Sequence, residues 1–325
     1  MPWPDRKRPW VSAWAALRLA LWARSNRIDL IHCNEHDVYP FGSLVQRLVR
    51  VPIVCHVRFS LNRGFCEWAF GGRRQPAALL WTSEQQRKDC AEAIGGIVPE
   101  SRQHLVRLGP DLTRFGAQPV DLAPLRARFD IKPGELVIGS TGALRPIKRI
   151  EDFIDLVSRL SSRYPNLVGL IAGGAVAGDE AYRAFIEQRI QESGLGRRLR
   201  WLGHVEPVEP LLRVLDVFVS TSQYETFGNS VAEAMACQLP VAAYTGGSVH
   251  EVLGPAGSVV ETGDLEGLIQ AVDALLSDPE KRARFGRLGL ERMATHFSPA
   301  ASFAQLRAIY DQLGTPRATP PAPSR

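Results

Sequence analysis

Two glutamates in the C-terminal half of the chain are spaced so that they could bind a polar ligand. Glu225 and Glu233 flank the uncharged segment 226–232, which joins an apolar run to a helix that starts near residues 229–230. Gly228 in this segment lets the backbone approach a ligand closely. Because the free amides of a helix N-terminus attract anions, the pattern indicates a diphosphate site with carboxylates beside it.

The same spacing also has a purely structural interpretation. Ser230 and Glu233 fit a capping box, in which the glutamate would bond the first amides of the helix. Glu225 would then be no more than a solvated loop charge. Local spacing alone leaves the two interpretations equally open.

A basic loop supplies a second group of candidates. Gly142, Arg145 and Lys148 follow directly after the apolar run Leu136–Thr141. Two cations held at a strand end suit a diphosphate, and such charges stabilise a departing phosphate without a metal ion. The structural alternative is a basic loop beside a solvated helix.

In combination, these residues resemble a known family. Glu225, seven residues and then Glu233 resemble the E-x7-E signature of retaining GT-B glycosyltransferases, the family often called GT4 or glycosyl transferases group 1. The further matches are Phe227-Gly228, the run Glu233–Ala236, Leu239-Pro240-Val241, Gly246-Gly247 followed by Glu251, Gly173-Gly174, and the run Trp201–Val205. The resemblance covers residues 140 to 313 with the family's spacing.

The resemblance implies a role for each of these residues. Glu233 would bind the ribose hydroxyls of a nucleotide, and Glu225 would accept from hydroxyls of the donor sugar. The implied donor-binding residues are Glu233, Phe227, Gly228, Asn229, Gly142 and His204, with the amides of 227–229 contacting phosphate or sugar. The implied catalytic residues are Glu225, Lys148, Arg145 and His56.

Two positions depart from the family's pattern. Ala143 stands where the family has an arginine, and Arg145 two residues later is the candidate substitute, whereas Lys148 falls on the family's lysine. Gln238 stands where glycine is usual before Leu-Pro, and we expect it to affect packing rather than chemistry.

The N-terminal half gives weaker signals. His56 ends the run Pro52–His56, which resembles the acceptor-side strand of the family, and a structural role for this histidine is equally open. The segment Leu108–Phe115 resembles a structural marker near the family's domain boundary. The loop Arg58–Arg74 holds four arginines, which would either receive an anionic acceptor or be solvated.

No metal site is expected. His32, Glu35 and His36 follow a strand rather than lying on a helix, so they lack the facial i, i+4 geometry of a metal site. The chain also lacks the Asp-x-Asp motif of transferases that hold a diphosphate through a divalent ion. No cofactor is expected either, because the nucleotide sugar would be a co-substrate.

Alternating strands and helices must position these residues. Strands are predicted over Ile28–Cys33, Pro52–Val57, Leu79–Ser83, His104–Leu108, Leu136–Thr141, Leu167–Ala172, Leu199–Leu202, Val217–Ser220, Val241–Tyr244 and Ser258–Val260. Helices are predicted over Trp10–Ala23, Ile150–Arg163, Ala181–Glu192, Val208–Val214, Ser230–Cys237, Leu265–Leu276, Glu280–His296 and Ala300–Leu313. This alternation is typical of an α/β fold with parallel sheets covered on both faces.

The resemblance specifies this fold class as GT-B, with two Rossmann-like domains facing across a cleft. The predicted domains are 1–118 on the acceptor side, 119–299 on the donor side, 300–313 as a helix crossing back to the first domain, and 314–325 as a disordered tail. No glycine precedes Gly42, and only one helix precedes the first predicted strand. We therefore expect the N-terminal domain to be incomplete at its beginning.

Composition bounds the partners. A net charge of +5 favours anionic ligands, although an ordinary solvated surface accounts for it as well. The five cysteines form no CxxC pair, which fits a cytoplasmic protein. Trp3, Trp10, Trp14 and Trp22 with Arg6, Lys7, Arg8 and Arg18 would form either a helix packed on the first domain, which is preferred, or a peripheral contact with the inner face of a membrane.

The expected reaction is transfer of a sugar from a nucleoside diphosphate to a hydroxyl of a sugar, lipid-linked or other acceptor, with retention of anomeric configuration, in polysaccharide or glycolipid synthesis. No nucleic-acid partner is expected. One alternative is a non-catalytic sugar-nucleotide-binding subunit that needs a partner. A remote alternative is an NAD(P)-dependent oxidoreductase, which would need a Gly-x-Gly-x-x-Gly turn that neither Gly139–Gly142 nor Gly173-Gly174 supplies.

Overall fold

A computed structural model describes residues 9–116 and 120–314. The chain divides into two compact units: unit 1 comprises Met1–Arg107 with Ala300–Arg325, and unit 2 comprises Leu108–Pro299. The boundary predicted from the sequence lies after residue 118. The units divide earlier because Leu108, Leu112 and Phe115 pack against the core of unit 2. Apart from Gly314, the tail predicted over 314–325 lies outside the described residues.

Unit 1 contains a four-stranded parallel sheet in the order β1-β2-β3-β4. The strands are β1 (Ile31–Cys33), β2 (Ile53–His56), β3 (Ala78–Trp81) and β4 (Gln103–Leu105). The helices before and between them are α1 (Pro9–Ser25), α2 (Tyr39–Val49), α3 (Arg63–Phe70), α4 (Glu84–Asp89) and α5 (Ala91–Ile94).

Unit 2 contains a six-stranded parallel sheet in the order β10-β9-β8-β5-β6-β7. The strands are β5 (Leu136–Thr141), β6 (Leu167–Ala172), β7 (Leu199–Trp201), β8 (Val217–Ser220), β9 (Val241–Tyr244) and β10 (Ser258–Val260). The helices are α6 (Leu112–Phe115), α7 (Leu122–Arg128), α8 (Ile150–Leu160), α9 (Glu180–Glu192), α10 (Glu209–Leu212), α11 (Asn229–Ala236), α12 (Val249–Leu253), α13 (Leu265–Leu276) and α14 (Pro279–His296). The last helix, α15 (Pro299–Leu313), packs on unit 1 through Ile309. Single 3-10 turns lie at His36–Val38, Gly72–Arg74, Glu100–Arg102, Pro146–Lys148, Gly196–Arg198 and Gly254–Ala256.

Burial on both faces explains why the central strands are almost continuously apolar. In β5 of unit 2, Val137 packs in the hydrophobic cluster on one face of the sheet, and Ile138 packs in a second hydrophobic cluster on the other face. Val241 and Ala242 of β9 divide in the same way. Successive side chains of a strand point to opposite faces, so helices must cover both sides of this sheet.

The predicted strands of unit 2 are confirmed more closely than those of unit 1. β5, β6, β8, β9 and β10 have the predicted bounds. The strand predicted from Ile28 begins only at Ile31, because the Ile28 amide donates to the Ala23 carbonyl at the end of α1, 2.9 Å away. The strand predicted to Ser83 ends at Trp81, because the Ser83 side chain caps α4.

No helix within the described residues is both long enough and apolar enough to span a bilayer. α1, the longest helix of unit 1, packs against α2. Residues 9–25 therefore form the predicted helix, and one side of it packs on its own domain. Trp3, Arg6, Lys7 and Arg8 lie outside the described residues.

Candidate functional site

The strand order of unit 2 creates a crevice between β5 and β8. From β5 the chain continues through β6 and β7 on one side, whereas β8 returns to the other side of β5. Neighbouring connections therefore diverge at the carboxyl ends of β5 and β8, and ligands of doubly wound sheets bind at such a switch point. The two predicted loops, 142–149 and 221–228, follow these two strands.

An ion pair joins these loops at the crevice. The Lys148 ammonium donates to the Glu225 carboxylate, and both side chains are largely buried. The loop backbones are also joined, because the Thr221 hydroxyl donates to the Lys148 carbonyl at 2.7 Å and the Gln223 amide donates to the Ile147 carbonyl at 2.8 Å. The two predicted motifs therefore form one site.

Two glycines hold the Glu225 loop in place from behind. The Ser248 amide donates to the Glu225 carbonyl at 2.8 Å, and the Glu225 amide donates to the Gly246 carbonyl at 3.2 Å. A Cβ at Gly246 would lie 2.5 Å from the Ser222 carbonyl oxygen, and one at Gly247 would lie 2.3 Å from the Glu225 carbonyl oxygen. The pair Gly246-Gly247 is thus needed for close approach of two backbones beneath the site.

Gly142 lies against the lysine of the ion pair. A Cβ at Gly142 would be 3.5 Å from Cε of Lys148, and φ of Gly142 is +151°. A Cβ at Gly173 would lie 1.7 Å from the Gly142 carbonyl oxygen, so the loops after β5 and β6 also touch. Gly142 therefore places no side chain of its own against Lys148.

Helix α11 does not form the capping box that the sequence allowed. Its N-cap is Gly228, which takes the left-handed conformation with φ +95°. Ser230 is therefore the second residue of the helix instead of its cap, and Glu233 is the fifth. The capping-box interpretation is wrong, because the helix starts two residues earlier than that motif requires.

Glu233 lies in an environment that disfavours its charge. Burial raises the pKa of its carboxyl from 4.5 to about 7. The Arg114 guanidinium acts in the opposite direction, but it donates to the Glu209 and Glu206 carboxylates, each at 2.9 Å. The charges of those two carboxylates also contribute to the raised pKa of Glu233. A buried carboxylate of this kind gains from hydroxyl donors that a ligand brings.

The other predicted site residues of unit 2 differ in the exposure and the partners of their side chains. The Phe227 side chain is buried against Phe297, with ring centroids 5.6 Å apart, so only its backbone can contact a ligand. Asn229 is exposed at the first position of α11, and His204 is exposed after β7. The Arg145 guanidinium donates to the Asp179 carboxylate at 3.2 Å, whereas the crevice ion pair uses Lys148.

His56 belongs to unit 1, where it ends the buried strand β2. Its ring stacks on His32 with centroids 5.8 Å apart, and the Tyr310 hydroxyl contacts Nδ1 of His32. Burial, together with the charges of Arg58 and His32, lowers the pKa of His56 to about 3, so the ring is neutral. Nε2 of His56 has no hydrogen-bond partner among the described residues.

Some residues of these sites had no signal in the sequence. Glu206 and Glu209 bind Arg114, and all three charges act on Glu233. Tyr310 of the last helix contacts His32. These contacts join segments that are far apart in the sequence. Across residues 9–116 and 120–314, no three His, Cys, Asp or Glu side chains gather in an arrangement that could hold a metal ion.

The fold and the crevice at the β5–β8 switch point define the class of protein. Two Rossmann-like units with parallel sheets make the fold GT-B, as in the solved structure of HepE from Anabaena in complex with UDP and glucose. That structure matches with a TM-score of 0.83 and 21% identity, over 92% of this chain and 81% of the other.

Residues 123–292 match the family described as glycosyl transferases group 1, and the chain belongs to this family. One relative is a lipopolysaccharide core biosynthesis mannosyltransferase, LpcC of Rhizobium leguminosarum bv. viciae, which is 25% identical over 91% of this chain and 82% of the relative. Another is the corresponding mannosyltransferase LpsB of Rhizobium meliloti (strain 1021), which is 26% identical over 63% of this chain and 59% of the relative.

Proposed function

We propose that this glycosyltransferase transfers a sugar from a nucleoside-diphosphate donor to an acceptor hydroxyl, with retention of configuration at the anomeric carbon and without a metal ion. The observation that carries the proposal is the Lys148–Glu225 ion pair at the β5–β8 switch point, with the partly buried Glu233 on the helix that follows. The signature Glu225-x7-Glu233 supports the assignment to the retaining GT4 group within the family.

In this proposal the donor binds across α11 and the Gly142 loop. The amides at the start of α11 contact phosphate or sugar, Glu233 accepts from the ribose diol, and Glu225 accepts from the donor sugar. HepE, a protein of the same fold, has been solved with UDP and with UDP-glucose, and this supports a nucleotide sugar as the donor class.

Lys148 supplies the positive charge that a metal ion would otherwise bring. As the bond between the anomeric carbon and the phosphate oxygen breaks, negative charge grows on the diphosphate, and the Lys148 ammonium stabilises it. The acceptor oxygen forms the new bond to the anomeric carbon from the same face. Its proton passes to the leaving phosphate oxygen, so no carboxylate is needed as a nucleophile.

The acceptor is proposed to be a hydroxyl of a growing polysaccharide or glycolipid. Two relatives act in lipopolysaccharide core biosynthesis, which supports this class of product. His56 is proposed to bind the acceptor hydroxyl through Nε2, which the structure leaves without a partner among the described residues.

Ala143 and Arg145 are the residues that favour the alternative, a non-catalytic subunit. The family's arginine is absent at position 143, and the substitute Arg145 is paired with Asp179. Release of nucleoside diphosphate by the purified chain, assayed with UDP-, GDP- and ADP-sugars, separates the two functions. Binding of one donor without any turnover, even when acceptor oligosaccharides are added, would favour the subunit.

A further inference from the structure

The outward side of α1 is unusually apolar. Trp10, Trp14, Leu17 and Leu21 recur at intervals of three and four residues, so they line one face of the helix. Trp10 and Trp14 are 67% and 59% exposed, and Trp22, beside this row, is 55% exposed. We call Trp10, Trp14, Leu17, Arg18, Leu21 and Trp22 the α1 outer face.

The opposite side of α1 is built from small residues. Ala15, Ala16, Ala20 and Ala23 are buried, and Ala16 and Ala20 pack against Val45 of α2. A surface helix of a water-soluble domain normally turns its large apolar side chains inward and its polar ones outward. α1 does the reverse, so packing on unit 1 does not account for its tryptophans and leucines.

The charged residues of α1 and α2 all have one sign. Neither α1 nor α2 contains an acidic residue. The Arg18 guanidinium lies 4.7 Å from the Trp14 ring centroid, and Arg24 donates to the Leu48 carbonyl, which places the ends of the two helices side by side. Arg47 on α2 is exposed close to that point. Large apolar side chains are thus interleaved with cations.

We propose that the α1 outer face docks on the surface of an anionic lipid bilayer, with the helix axis in the membrane plane. Tryptophan and leucine side chains would enter the boundary between headgroups and acyl chains, and the arginines would contact lipid phosphates. A second copy of the chain fits this face less well. A symmetric pair would bring two sets of arginines together with no acidic residue of α1 or α2 to neutralise them.

The test is co-sedimentation of the full chain with vesicles at low salt. The wild type should bind vesicles of phosphatidylcholine mixed with phosphatidylglycerol, and it should bind pure phosphatidylcholine more weakly. The variant Trp10→Gln/Trp14→Gln/Leu21→Gln should lose at least about tenfold in partition coefficient, because three interfacial side chains are removed. The matched control Phe185→Gln/Leu288→Gln, which changes exposed apolar residues of unit 2, should bind as the wild type does.

A second measurement keeps the proposal testable if the triple variant misfolds. Lipids brominated in the acyl chains should quench the tryptophan fluorescence of the wild type, and added salt should reverse the quenching. Arg18→Gln/Arg47→Gln should weaken binding to anionic vesicles while leaving the circular dichroism unchanged.

Three results would overturn the inference. These are no sedimentation with anionic vesicles at low salt, equal binding to neutral and anionic vesicles, and a wild-type dimer that the triple variant converts to monomer without any vesicle binding. The last result would assign the face to a second copy. Nucleotide binding by unit 2, measured without vesicles, should be the same in the wild type and the triple variant, so this proposal and the proposed function fail separately.

Discussion

Replacing Glu233 with glutamine should stabilise the free protein and weaken nucleotide binding at the same time. Burial raises the pKa of this carboxyl from 4.5 to about 7. The unfolded chain therefore releases this proton at a lower pH than the folded protein. Stability is lost as the pH rises from the pKa of the unfolded chain through about 7, because in that range the unfolded chain binds fewer protons than the folded protein.

The size of the effect follows from the pKa of Glu233. A rise from 4.5 to about 7 corresponds to about 3 kcal/mol between the two protonation states, and solvent at this partly exposed side chain reduces it to about 1–2 kcal/mol. Glu233→Gln removes that cost, so it should raise the free energy of unfolding by about 1–2 kcal/mol at pH 8 and by almost nothing at pH 4.

Urea unfolding of both proteins at several pH values measures this difference. Both proteins contain His56, so the difference between them reports Glu233 alone. The lowered pKa of His56 has the opposite effect on stability, because its contribution to the free energy of unfolding falls as the pH drops below 6.5. Calorimetry at pH 8 with the nucleoside diphosphate that binds best should show at least about tenfold weaker binding by the variant, since a hydrogen bond to a charged group is lost.

A gain in stability together with a loss of nucleotide affinity distinguishes a ligand-binding glutamate from a structural one. A structural glutamate would lose stability on substitution and leave nucleotide affinity unchanged. Either of those results, or a stability difference that grows as pH falls, would show that Glu233 is not a buried ligand-binding carboxylate.

The remaining predictions concern the loops around the same crevice. Lys148→Ala should lower kcat by about a hundredfold and weaken nucleotide binding less. Arg145→Ala should lower kcat far less, because Arg145 pairs with Asp179. Steady-state kinetics of both variants test this difference. EDTA should leave the wild-type rate unchanged, and inhibition that magnesium or manganese reverses would contradict the mechanism. Gly246→Ala should destabilise by about 2–4 kcal/mol in urea unfolding, because the new Cβ would meet two carbonyl oxygens. Gln238→Gly should instead stabilise by about 0.5–1 kcal/mol, because Gln238 has φ +62°; an unchanged unfolding midpoint would refute this.

Much of unit 2 could be predicted because its strands are buried on both faces. The runs Leu136–Thr141 and Val217–Ser220 are apolar and end abruptly, so their carboxyl ends were located to the residue. Ligands gather at those ends in parallel sheets, so Lys148 and Glu225 could be assigned to one site although 77 residues separate them.

Other features could not be predicted because they depend on distant packing. Arg114 reaches Glu206 and Glu209 across more than 90 residues, and no periodicity records that contact. The start of α11 was ambiguous because serine is a common N-cap, whereas the left-handed Gly228 decides the matter in the structure. The helix α1 was predicted, but its orientation, with alanines inward and tryptophans outward, depends on its packing against α2.

Incubation of the purified chain with nucleotide sugars in EDTA tests the central claim most directly. Proton NMR follows both the release of nucleoside diphosphate and the anomeric configuration of the sugar transferred to water or to an acceptor. We expect one donor class to be consumed by the wild type, with its configuration retained, and to be consumed about a hundredfold more slowly by Lys148→Ala. Inversion of configuration, or no binding and no consumption of any UDP-, GDP- or ADP-sugar, would contradict the proposed function.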